Sequence, residues 1–381
     1  MYLIVMIPRT LSQVIIKNNK PGFINVVYGP RRVGKTTLLM QIKESMIKNT
    51  DFLLLNGDTE EGRNALSTTS EVRLSRLVKK YDYIFVDEAQ RIPNVTLALK
   101  IIVDRFPQKF ILVTGSSSLD LSRGMHEHLT GRSQPFFLFP LSTKEISVDL
   151  EPHQIPSLLE NQLIYGGYPQ LTNLPTSAQK EEYLLNIVED YLFKDILLLE
   201  RIENPDNLKR LAILLAFQVG SLVSLNELSN TLGIDVKTVA RYLHLLEQSF
   251  IIFRIGSYST NLRKELTKSS KYYFYDLGVL NALTRQFLPL SNRIDVGSLW
   301  ENFLFVERKK KQHYNKAHPE YNFWRNYEGA EIDMIERMSN KIRAFEFKWK
   351  ENKYKTPKQF LEKYHITSEL VNKENYLSFI Y

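Results

Sequence analysis

The chain contains no cysteine. That excludes disulfides, thiolate zinc sites and thiol nucleophiles, and it argues against a secreted scaffold stapled by disulfide bridges. The cytoplasm is therefore the expected compartment. No apolar stretch approaches the roughly 18 residues that a membrane-spanning helix needs. Residues 1–7 are apolar but lack a basic flank and run into Pro8-Arg9, so neither a signal peptide nor a membrane span is read. Internal repeats and low-complexity segments are also missing. Charge of one sign is not strongly dominant: 50 Lys and Arg face 42 Asp and Glu, a formal net charge of +8 spread along the chain. Such an excess is compatible with nucleic-acid binding but alone decides little. With 381 residues, 43% of them hydrophobic, two to four domains are expected.

Glycine is sparse, 16 in all, which gives weight to a pair five positions apart. Residues 24–37 read INVVYGPRRVGKTT, a β-branched run closed by the complete pattern G-x-x-x-x-G-K-[ST]. The loop Gly29, Pro30, Arg31, Arg32, Val33, Gly34, Lys35, Thr36 and Thr37 is thereby marked as a cradle for ATP or GTP. Its curled backbone turns N–H groups toward the β-phosphate, Lys35 reaches the β- and γ-phosphates, and Thr36 offers its hydroxyl to Mg²⁺. A helix expected over 36–48 adds the positive end of its dipole.

A cradle alone hydrolyses nothing. The second signal is YIFVDEAQ at 83–90, four strand-forming residues ending in two carboxylates, with Asp87 lying 52 residues after Lys35. At the carboxyl end of a buried parallel strand, Asp87 can hold Mg²⁺ through water while Glu88 polarises the attacking water. Further apolar runs at 52–56, 110–114 and 136–139 alternate with helical patterns, which reads as an α/β doubly wound parallel sheet. After Pro140 the pattern turns helical, with a break at YGGYP (165–169) and a long helix expected near 181–200.

These residues resemble a known family of archaeal and bacterial AAA+ ATPases that carry a C-terminal domain similar to restriction-endonuclease-like folds. The resemblance runs nearly end to end, on GPRRVGKTT (29–37), VDEAQ (86–90), TGSSS (114–118), LTGR (129–132), PLS (140–142), GGYP (166–169), EID (331–333) and EFK (346–348). It implies ATP and Mg²⁺ as the cofactors. Ser116 is implied as the polar sensor of the γ-phosphate, with Thr114 and Ser117 as rivals. Arg132, just before a strand, matches the arginine finger that enters a neighbouring subunit's site, with Arg123 as alternative; a homo-oligomer follows. Pro169 matches the lid proline that packs beside the base.

Residues 206–276 carry a separate argument. An apolar helix at 206–220, a capping box at Ser224–Glu227 and a tight turn at Gly233-Ile234-Asp235 into a third helix at 236–248 give helix-turn-helix spacing. Val239, Tyr242, Leu243 and Leu246 share one face of that helix, leaving Lys237, Thr238, Arg241 and His244 outward. Behind it, 251–256 and 271–275 read as a hairpin wing with Arg263, Lys264, Lys268 and Lys271 near its tip. Lys237, Arg241, Arg263 and Lys264 are the expected contacts to nucleic acid, DNA first. Protein docking is the competing use of such a domain.

The last motif is the hairpin 331–349. Strict alternation would put Ile332, Met334, Phe345, Phe347 and Trp349 on one face and Glu331, Asp333, Glu346 and Lys348 on the other. A two-residue reversal at Ser339-Asn340 makes Asp333 face Glu346 and Glu331 face Lys348. Facing carboxylates about 5 Å apart repel unless a divalent cation sits between them. Asp followed on the next strand by Glu-x-Lys, with Glu301 on the preceding helix, matches the nuclease signature of the resembled fold. Asp333, Glu346, Lys348 and Glu301 are thus expected as a phosphodiester-cleaving set, with Asp333 and Glu346 as metal ligands.

The expected organisation is an AAA+ ATP-binding core at 1–145, a helical lid at 146–204, a winged-helix domain at 205–290 and a restriction-endonuclease-like α/β domain at 291–381. The expected activity is ATP hydrolysis in a nucleic-acid-associated machine with a metal-dependent nuclease domain. The alternative is a nucleotide-dependent switch or scaffold without nuclease chemistry. A GTPase is disfavoured, because no Asn-Lys-x-Asp segment follows the Asp87 strand.

Overall fold

The computed structural model describes residues 6–46, 52–115, 129–193, 196–197, 202, 204–259, 270–339, 341–350 and 353–381. They form two compact units: 1–139 with 195–201 and 248–250, and 140–194 with 202–247 and 251–381.

The first unit is an α/β layer structure around five parallel strands: β1 (Ile24–Tyr28), β2 (Phe52–Asn56), β3 (Tyr83–Asp87), β4 (Phe110–Gly115) and β5 (Ser133–Phe137). Their order is β2-β3-β4-β1-β5. The central strands are mostly apolar because helices cover both faces: Ile24, Val26, Ile84, Val86, Ile111 and Val113 join one core with Leu99 and Ile102 of the Val95–Arg105 helix. β5 departs from the expected 136–139. It is an edge strand, so it accommodates Ser133, Gln134 and Pro135, which an apolar-run reading leaves outside.

The second unit begins at Pro140. Its helices Ile155–Tyr165, Ser177–Asn186, Pro205–Phe217 and Leu277–Thr284 pack together, and Asn281 Nδ2 donates to the last-turn carbonyls of Leu163 (3.0 Å) and Ile164 (2.7 Å). Within the helix expected over 181–200, α-helix Ser177–Asn186 passes into a π-helical stretch at Ile187–Leu192, while 194–195 and 198–200 lie outside the described residues. Ser224 caps the Leu225–Leu232 helix through the Glu227 N–H, whereas the Glu227 carboxylate accepts from Gln218, so only half of the expected capping box forms. The Val236–Gln248 helix buries Val239, Tyr242, Leu243, Leu245 and Leu246 and exposes Lys237, Arg241 and His244.

Strand β6 (Leu222–Val223) pairs with β8 (Ser270–Phe274), which pairs with β7 (Ile252–Ser257). The sheet does not stop there. β7 runs parallel to β9 (Glu320–Arg325) at Gly256 and Ser257, and β9 leads to β10 (Glu331–Met338), β11 (Lys341–Phe347) and β12 (Ser368–Val371), giving the order β12-β11-β10-β9-β7-β8-β6. This sheet crosses position 290, with β6 to β8 before it and β9 to β12 after it. The Val296–Tyr314 helix lies against it through Phe305 on Phe347 and Trp300 on Trp349, and buried Arg308 holds Glu336 with two 2.7 Å bonds.

Candidate functional sites

At the carboxyl end of β1 the chain turns into the Lys35–Met46 helix. Gly29 is required there because an added Cβ would meet the Leu138 carbonyl at 2.4 Å. Gly34 takes φ +94°, and Arg32 holds the left-handed φ of 60° that costs a non-glycine residue strain. Lys35 is buried, its ammonium donating to the Gly29 (3.0 Å) and Pro30 (2.9 Å) carbonyls, so its charge lies inside the loop. Thr36 and Thr37 are exposed at the helix start.

β3 delivers Asp87 to the same edge. Thr36 Oγ1 donates to Asp87 Oδ2 at 2.7 Å, which joins the two residues expected to hold Mg²⁺. Glu88 leaves the strand with φ 49°, and Gln90 Nε2 donates to its Oε2 at 2.5 Å. Thr114, at the end of β4, ties the pair together: its hydroxyl donates to Asp87 Oδ1 and accepts from the Glu88 N–H at 3.1 Å. Of the three sensor candidates, Thr114 is thus placed at the site, while Ser116 and Ser117 lie outside the described residues, as do Arg123, Arg263 and Lys264.

Arg132 stands at the opposite edge of the sheet. Its neighbour Ser133 pairs with Ile24, the first residue of β1, four strand steps or about 13 Å from Tyr28. Its Nε donates to Asp104 at 2.5 Å in a partly exposed pair. It does not reach its own subunit's phosphate loop.

Sequence reasoning missed Arg9. This buried arginine donates to the Val33 carbonyl (2.8 Å) and the Phe139 carbonyl (2.5 Å), anchoring the phosphate loop from beneath. Its partners lie 24 and 130 residues away, so no local pattern marks it.

In the second unit, Gly166-Gly167-Tyr168-Pro169 ends the Ile155–Tyr165 helix, and Pro169 opens a short 3₁₀ turn, Pro169–Asn173. The Gly167 N–H donates to Asp276 Oδ2 at 2.8 Å. Asp276 also caps the Leu277–Thr284 helix through Val279, and burial raises its pKa to about 6 against the pull of these donors and Lys310.

The hairpin of β10 and β11 takes the expected register: Met338 pairs with Lys341 and Met334 with Phe345, so Asp333 and Glu346 stand one rung beyond. The strict alternation fails. A bulge between Ile332 and Ile335 adds a residue against β9, so these two isoleucines share one apolar cluster with Ala344, Trp324 and Phe360. Asp333 and Glu346 are both buried. Asp333 Oδ2 accepts the Phe347 N–H at 2.8 Å, Glu346 Oε1 pairs with Lys348 at 2.9 Å, and Glu346 Oε2 is buried with no hydrogen-bond partner. Burial raises both carboxyl pKa values. Glu301 and Glu346 raise Asp333 further against Lys271, while Lys348 opposes the rise at Glu346.

Lys271, read as close to the wing tip, is the second residue of β8 and is buried: its side chain is 3% exposed, donating to Glu301 Oε1 at 3.0 Å and paired with Glu331. Burial lowers its pKa and the charges of Glu301, Glu331 and Asp333 more than restore it, so the net shift is upward. Glu301 also accepts from Tyr273 at 2.5 Å. Among the described residues, no three His, Cys, Asp or Glu side chains gather as a metal-binding group.

Residues 22–147 match the family described as AAA domain, whereas 156–290 and 296–377 match two domains of unknown function, DUF8612 and DUF4143. An uncharacterized protein of Haemophilus influenzae is 27% identical over 354 residues, covering 87% of this chain and 83% of the relative. Uncharacterized proteins of Mycobacterium tuberculosis (28% over 325 residues; 84% and 69%) and Methanocaldococcus jannaschii (26% over 332; 81% and 71%) are also similar. A solved structure, a signal transduction ATPase with numerous domains and a tetratricopeptide repeat sensor from Pyrococcus horikoshii, aligns over 82% of this chain at 14% identity and TM-score 0.32. The chain spans 46% of that protein's length. Phosphate loop, parallel sheet and the match over 22–147 agree: the chain carries a P-loop domain of the AAA type.

Proposed function

We propose that this protein hydrolyses ATP as a cytoplasmic homo-oligomer acting on nucleic acid. The observation that carries the ATPase reading is the bonded set Thr36, Asp87, Thr114 and the Glu88 backbone N–H, which ties the expected magnesium ligands to the backbone of the residue expected to activate water, at one sheet edge. Lys35 neutralises phosphate charge, Thr36 and Asp87 would hold Mg²⁺, and Glu88 orients the attacking water. Bound Mg²⁺ would supply charge neutralisation across the phosphates. Arg132 acts on a neighbour's nucleotide, since it cannot reach its own. Lys35→Ala should abolish tight ATP binding measured by equilibrium dialysis; wild-type affinity in that variant would remove the loop from the mechanism.

Nucleic-acid binding is supported by the exposed Lys237 and Arg241 on the Val236–Gln248 helix, read as the recognition helix of a winged-helix fold. Each phosphate contact removed should lower the log–log salt slope of DNA affinity by about 0.9. An unchanged slope after both charges are removed would favour protein docking.

A second activity rests on the unpartnered Oε2 of Glu346 beside Asp333. These residues fit a divalent cation, and Lys348 would stabilise phosphate charge in a restriction-endonuclease-like site. Asp333→Ala should abolish Mg²⁺- or Mn²⁺-dependent nicking of plasmid DNA while ATP turnover persists. Absence of nicking in wild type would leave the scaffold or regulator reading.

A further inference from the structure

Around the hairpin, four carboxylates come from three elements: Glu331 and Asp333 from β10, Glu346 from β11 and Glu301 from the Val296–Tyr314 helix. Two ammonium groups answer them. Lys348 is partly exposed and pairs with Glu346, whereas Lys271 is buried and pairs with Glu301 and Glu331, its Nζ also lying 5.4 Å from the Phe323 ring centroid. Lys271 arrives from β8, whose hairpin lies across β7 and β9 in the same sheet. The two sides of the cluster therefore differ. Glu301 and Glu331 are each paired with the buried Lys271, and Arg325 lies 3.5 Å from the second oxygen of Glu331, while Glu346 Oε2 is buried with neither a hydrogen bond nor an ion pair and Asp333 has one oxygen on a backbone N–H.

We propose that Lys271 is a positioning residue that serves as a built-in cation, holding Glu301 and Glu331 and restricting the cluster to a single divalent ion at Asp333 and Glu346. The inference rests on reading those two as a cation pair, and it makes Glu301 a ligand of the lysine and not of the metal. An ammonium and a divalent ion compete for the same carboxylate oxygens, so a second ion has no place while Lys271 is present. A neutral side chain of similar length would surrender that place.

Equilibrium titration of full-length protein with Mn²⁺, following free ion by electron paramagnetic resonance without nucleotide, reads the count as differences between variants. Lys271→Gln should gain one ion per chain, and adding Glu301→Gln should remove the gain. Lys271→Arg should keep the wild-type count. An unchanged or lower count in folded Lys271→Gln, or a gained ion in Lys271→Arg, overturns the proposal. If Lys271→Gln fails to fold, the variant with Glu301→Gln and Glu331→Gln added removes the unpaired charges; it should fold and keep the wild-type count, and any other count overturns the proposal. Asp333→Asn should lose one ion, and failure of that arm alone would refute the cation pair on which the proposal rests. None of these readouts depends on cleavage, so loss of the nuclease reading would leave them distinct.

Discussion

Replacing Thr114 with valine removes one hydroxyl and keeps the shape of a fully buried side chain. That hydroxyl donates to Asp87 and accepts from the Glu88 N–H, so its loss strands a carboxylate oxygen and a backbone donor at once. A hydrogen bond to a charged group contributes about 1.5–3 kcal/mol and an ordinary one about 1 kcal/mol, giving a destabilisation of about 2–4 kcal/mol. For a unit of this size, that lowers the thermal midpoint by roughly 5–12 °C. A functional cost is added to the structural one, because Glu88 sits in a left-handed conformation that its N–H contact helps to hold. ATP turnover should fall about 10–100-fold while ATP affinity, which rests on Lys35 and the loop backbone, stays within a factor of a few. Phosphate release under saturating ATP and calorimetric melting check the two halves. Wild-type turnover in Thr114→Val, together with its loss in Ser116→Ala, would refute the assignment and return the sensor role to Ser116.

Asp276 has a folded-state pKa raised to about 6, so the folded protein holds its proton over pH values where the unfolded chain has released it. Its contribution to stability should therefore decline from about pH 4 to about pH 6, by at most about 3 kcal/mol; urea midpoints of wild type and Asp276→Asn across that window should diverge, and parallel curves would contradict it. The position of Arg132 predicts rescue: mixing Arg132→Ala with Lys35→Ala subunits should restore part of the turnover neither shows alone, and no rescue in a verified mixed oligomer would count against a finger acting in trans.

The phosphate loop and the Asp87 strand were legible because both are local patterns, a glycine spacing and a buried apolar run with its carboxylates at the end. The hairpin register was legible too, since a two-residue reversal fixes every pair. What escaped depends on distant partners. A lysine in a Lys-Tyr-Tyr-Phe strand reads as surface until Glu301 and Glu331 are brought to it, and Arg9 reads as a helix flank until Val33 and Phe139 arrive. The bulge at β10 likewise comes from pairing with β9, which the alternation within β10 cannot reveal.

The central claim is that Glu88 activates water for hydrolysis at a site where Thr36 and Asp87 would hold Mg²⁺. Single-turnover kinetics of Glu88→Gln with radiolabelled ATP test it most directly. The variant should bind ATP with near wild-type affinity and cleave it at least a hundredfold more slowly, trapping the ATP-bound state. Cleavage at the wild-type rate would contradict the account.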